Sequence, residues 1–110
     1  MLYITVDDFY AKAGEMTRLT RQQERACAAA MATGDADARR RLIQSYLPYV
    51  ASAIRCAPAD IRTLHTVYAA IAALERGADT FNFQQEGETF AHHLSWRLRQ
   101  CLVRCIADRP

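Results

Sequence analysis

Apolar residues in this chain recur at three- and four-residue steps, and a two-residue alternation persists nowhere. Ala38, Leu42, Tyr46, Leu47, Val50 and Ile54 form one such stripe. Ile61, Leu64, Val67, Tyr68, Ile71 and Leu74 form a second, and Phe90, Leu94, Leu98, Cys101, Leu102, Cys105 and Ile106 form a third. Steps of three and four bring side chains to one face of an α-helix, whereas a half-buried strand needs alternation. Stripes of this kind must be buried helix against helix. The pattern therefore predicts an all-α fold, a compact bundle of about five helices, three of them long.

The polar residues between the stripes set the boundaries. Thr5 with Asp8 predicts a capped first helix ending near Met16, weakened by Gly14. Thr20 with Gln23, after Leu19, is a capping box that starts a second, alanine-rich helix, which Gly34 stops. Asp35 caps a third helix running through the first stripe, and Pro48 should kink it. Pro58 and Asp60 mark the start of the fourth, and Arg76-Gly77 its close. Residues 78–88 read as a loop, after which Thr89 caps the last helix. No repeat or linker divides the chain, so residues 1–110 read as one domain with residues 1–18 as an N-terminal extension.

With 110 residues, 51% hydrophobic and 24% charged, the composition is that of an ordinary globular domain. No apolar run approaches the ~20 residues of a membrane helix, so no membrane partner is expected. The first ten residues carry Asp7 and Asp8 without a basic cluster, unlike a secretory signal. Cys27, Cys56, Cys101 and Cys105 include no CxxC pair, and with no signal sequence they read as free thiols of a cytoplasmic protein. Cys101 and Cys105 stand one turn apart, but structural zinc requires four ligands. No metal or other cofactor is expected. No Ser/His/Asp set, glycine-rich phosphate loop or carboxylate pair is present, so no catalytic residue is assigned and the chain reads as a non-enzyme.

Net charge is only +2, yet it is unevenly spread. From Phe90 onward there are four arginines (Arg97, Arg99, Arg104, Arg109) and one acid, Asp108. Lys12 is the only lysine in the chain. Arginine suits bidentate contacts to phosphate, though a GC-rich genome would produce the same bias.

Several blocks together resemble the sigma factors of bacterial RNA polymerase, the sigma-70 family, over conserved regions 1.2 and 2. Leu19-Thr20-Arg21-Gln22-Gln23-Glu24, Gly34-Asp35, Ala38-Arg39 and Leu42-Ile43 are similar to the family's first block. Tyr46-Leu47-Pro48-Tyr49-Val50-Ala51 is similar to the stretch that follows it. Gly87-Glu88-Thr89-Phe90, Trp96, Leu98-Arg99-Gln100, Arg104 and Ile106-Ala107-Asp108 resemble the promoter-melting signature. The resemblance spans residues 19–108. Its middle block departs from the family at Arg62, Thr63, Leu64, His65 and Thr66.

The resemblance implies two partners: core RNA polymerase, through its clamp coiled coil, and the −10 element of promoter DNA. The implied DNA-binding residues are Phe90, His93, Trp96, Arg97, Arg99, Gln100 and Arg104. Aromatic side chains stack extruded bases, arginines hold phosphates, and glutamine reads adenine edges. His93, Arg97 and Val103 stand where the family has tyrosine, tryptophan and threonine. Phe90 and Trp96 are equally placed to be core. The implied polymerase-binding residues are Asp60, Thr63 and Thr66, with a helix cap the alternative for Asp60.

Two further readings stand beside this one. The first is a sigma mimic that docks on polymerase or an anti-sigma factor without melting DNA. The second is a generic helical bundle, with Ala26–Ala32 as a smooth face for a dimer. Sigma factors also carry a separate helix-turn-helix domain, which this sequence lacks. The resemblance therefore also implies a longer chain or a second, region 4-like polypeptide.

Overall fold

The computed structural model describes residues 3–109, and among these every regular element is helical. The helices are α1 (Val6–Gly14), α2 (Arg21–Ala32), α3 (Ala36–Ser45), α4 (Leu47–Arg55), α5 (Leu64–Thr80) and α6 (Phe90–Ala107), with a 3-10 turn at Ala59–Ile61. The count is six rather than five because the expected third helix is two. Pro48 sits in the first turn of α4, and the chain bends at Tyr46, which ends α3 and begins α4. Proline is tolerated in a first turn, where its missing N–H has no intrahelical partner, and it cannot continue the preceding helix.

Side-chain caps define most starts. The Thr20 and Gln23 box is complete, at 3.1 Å and 2.9 Å. Thr5 accepts from the Asp8 amide, but the Asp8 carboxylate reaches back to the Ile4 amide, one residue before the cap. Helix α1 closes at Gly14, two residues earlier than expected. Asp35 caps α3 through the amides of Asp37 and Ala38. Gly34 turns the chain between α2 and α3 at φ +94°, a conformation that favours glycine.

Two boundaries of α5 differ from expectation. Pro58 and Asp60 begin only the 3-10 turn, and α5 starts after Thr63, whose hydroxyl accepts from the Thr66 amide at 3.3 Å. Gly77 does not end the helix, which continues through Thr80. The glycine is there for packing: a Cβ at Gly77 would lie 3.2 Å from Arg97 Cδ of α6. The loop is correspondingly shortened to residues 81–89.

One apolar core joins the helices, with Phe9, Leu42, Val50, Ile54, Val67, Leu74 and Leu94 fully buried. Helices α5 and α6 pack antiparallel: Gly77 of α5 meets Phe90 and Arg97, while at the opposite end Arg109 pairs with Asp60 at 2.8 Å. Arg39 ties α3 to α5 through Asp79 at 2.9 Å and Glu75 at 3.4 Å. Among the described residues, no helix is long and apolar enough to cross a membrane.

Candidate nucleic-acid interface

Helix α6 contains no acidic residue over its 18 positions. Its buried stripe of Phe90, Leu94 and Leu98 fixes which side chains turn outward. Trp96 is 60% exposed, and Arg99, Gln100 and Arg104 are exposed as well.

Between α5 and α6 runs an open groove of about 360 Å³. Its α6 wall is formed by Trp96, Arg97, Gln100, Cys101, Arg104, Cys105 and Asp108, and its α5 wall by His65, Ala69, Ala72, Ala73 and Arg76. The alanines leave space that larger residues would fill. Three arginines face that space, with one carboxylate, Asp108, at its end. Among the described residues, no carboxylate lies within ion-pair distance of Arg76, Arg97, Arg99 or Arg104. Unneutralised guanidinium groups beside an exposed indole suit a ligand with phosphates and flat rings.

The candidate residues divide into three groups. Trp96, Arg97, Gln100 and Arg104 share the groove. Arg99 does not: five residues before Arg104, it lies roughly 140° around the helix at 3.6 residues per turn. Phe90 and His93 are committed inside. Phe90 is 2% exposed and packs edge-on against Tyr46, 4.9 Å between centroids, and against Phe81 and Phe83. It is a core residue and offers no platform for a base. His93 packs on Phe81 at 5.1 Å, and its Nε2 accepts from Arg97 Nε at 2.9 Å. Nδ1 of the same ring lies 3.9 Å from the Glu88 carboxylate. Arg97 is laid across Gly77 and reaches the Thr80 hydroxyl at 3.5 Å, so only part of it serves the groove.

The residues expected to dock on polymerase are occupied within the chain. Thr66 is 2% exposed and Thr63 donates to its hydroxyl at 3.4 Å, so Thr66 has no surface to present. Thr63 is the cap of α5. Asp60 is not a helix cap; its carboxylate accepts from Arg109 and remains half-exposed.

Arg76 and His65 were missed in the sequence. They belong to a second set of positions on α5, off its apolar stripe. Residues 65, 69, 72, 73 and 76 recur at helical steps, and four of the five are alanine or arginine. Deeper in the groove, burial pushes the Cys101 thiol up to about 11, with Cys105 adding to the shift and Arg104 and Arg76 opposing it. No protein-family model matches the chain, and no curated protein matches it in sequence.

Proposed function

We propose that this chain is a sigma factor-like, non-catalytic transcription initiation protein of the bacterial cytoplasm, binding core RNA polymerase and the −10 promoter element. The observation that carries the reading is the acid-free helix α6 with Trp96, Gln100 and Arg104 on one wall of an arginine-lined groove. Phosphates set affinity through Arg76 and Arg104. An exposed base stacks on Trp96, worth ~1–3 kcal/mol. Gln100 stands one turn after Trp96, within reach of an adjacent base edge. The remaining specificity of a full initiation factor would come from a second polypeptide or domain that reads the distal element.

The test is fluorescence anisotropy of labelled single-stranded −10-like DNA with the full chain, with and without core polymerase. Saturable binding that weakens in Trp96→Ala and Arg104→Ala is expected. Absence of binding at low salt with polymerase present overturns the reading.

A second reading is favoured by the burial of Phe90 and the mutual engagement of His93 and Arg97, which withdraw three of the expected strand-opening groups. In that reading the chain docks on polymerase or an anti-sigma factor and leaves the duplex closed. Polymerase binding without any gain in permanganate-reactive thymines at a promoter selects it.

A further inference from the structure

The promoter reading leaves part of the α5–α6 groove unused. Cys101 and Cys105 are free thiols, both half-buried, and both line that groove. They lie one turn apart on α6 and face the same groove. Ala69 and Ala72 of α5 line the same groove, and their side chains end at Cβ, so the space above the sulfurs stays open.

Residues one helical turn apart hold their Cβ atoms about 5–6 Å from each other. A disulfide needs roughly 3.5–4.5 Å. Joining these two sulfurs directly would deform α6, whereas an atom placed between them needs no such change. Thiolates select soft ions, chiefly Cu(I), zinc and iron–sulfur clusters. Zinc and the clusters call for about four protein ligands. Among the described residues, no three His, Cys, Asp or Glu side chains are arranged to hold a metal ion. An ion content with two thiolates is the one this pair fits.

We propose that Cys101 and Cys105 form a two-coordinate thiolate site for Cu(I). On binding, each thiol releases its proton to solvent as a sulfur–copper bond forms. Copper arrives and stays as Cu(I), so no electron is transferred. The resulting bis-thiolate complex carries one negative charge, which Arg76 and Arg104 on the same groove offset. The site stands independently of promoter binding.

The test is anaerobic titration of the reduced full chain with Cu(I) against a chromogenic Cu(I) chelator, with light scattering on the product. One equivalent withheld from the chelator by a monomeric protein is expected. That equivalent is lost in both Cys101→Ser and Cys105→Ser and kept in the Cys27→Ser/Cys56→Ser double variant. Failure to compete with the chelator, copper retention by either groove variant, or binding only as a copper-bridged dimer overturns the proposal. Copper-edge X-ray absorption on the wild-type complex removes dependence on variant folding. A shell of two sulfurs supports the site, and three or more ligands, or a nitrogen/oxygen shell, overturns it.

Discussion

Phe90 and Trp96 lie within two turns of each other on one helix and have opposite fates. Phe90 is enclosed by Tyr46, Phe81 and Phe83, whereas Trp96 projects from the lip of the groove. Truncating Phe90 to alanine should therefore cost about 3–5 kcal/mol in chemical denaturation, the range for a buried aromatic. Trp96→Ala should stay within about 0.5 kcal/mol of wild type, as exposed positions do, while impairing nucleic-acid binding. The sequence left both residues open between core and site, because two large aromatics at helical spacing look alike until the partner helix is known. Capping was far easier to read. Thr20 with Gln23 is a local signal that needs no tertiary information, and the box is formed. Thr20→Ala should lower stability by about 1 kcal/mol in the same assay.

At the scale of elements, the caps at Thr5, Thr20, Asp35 and Thr89 make four helix starts legible, whereas the Thr63 cap of α5 is masked by the Pro58 and Asp60 signal just before it. Helix ends and breaks are less legible. The sequence around Pro48 predicts a kink within one helix, but its position inside a first turn makes the bend a clean separation at Tyr46. Gly77 reads locally as a stop because the reason for a glycine there, the Arg97 side chain crossing it, comes from a helix twenty residues further on. The α5 wall of the groove gives no apolar signal of its own, because three of its five residues are alanine. The two walls make a prediction that α6 alone would not. Arg76→Ala and Arg104→Ala should each weaken single-strand binding and reduce the slope of log K against log salt by about 0.7, one released counterion each. Arg99→Ala, on the far flank of α6, should leave the affinity of a groove-bound strand nearly unchanged. Anisotropy titrations at several salt concentrations separate these outcomes.

For the whole molecule, the burial that makes the core also fixes its response to alkali. Tyr46 is pushed above its ordinary 10.0 by burial and then by the Glu24 carboxylate that accepts its hydrogen bond. Tyr3 is raised by burial and neighbouring Tyr68, and Cys101 rises from 9.0 to about 11. Each group holds its proton more tightly in the folded chain than in the unfolded one. Their stabilising effect is complete below about pH 9 and is lost as pH rises through the folded values, for Cys101 before Tyr46. Denaturation midpoints should therefore decline above pH 9, and Tyr46→Phe should flatten the upper part of that decline. The all-α class was readable from periodicity because every stripe must find a partner. Which stripes pair, and which faces remain open between them, depends on contacts distant in the chain, which periodicity does not encode.

Trp96 is the single tryptophan of the chain and is largely solvated in the folded state. Its intrinsic emission should accordingly be red-shifted before any denaturant is added and should change little on unfolding, making it a poor gauge of folding. The same indole, standing at the mouth of the groove, is a built-in optical reporter of occupancy. A ligand stacking on it should quench the signal in proportion to saturation, with no external label.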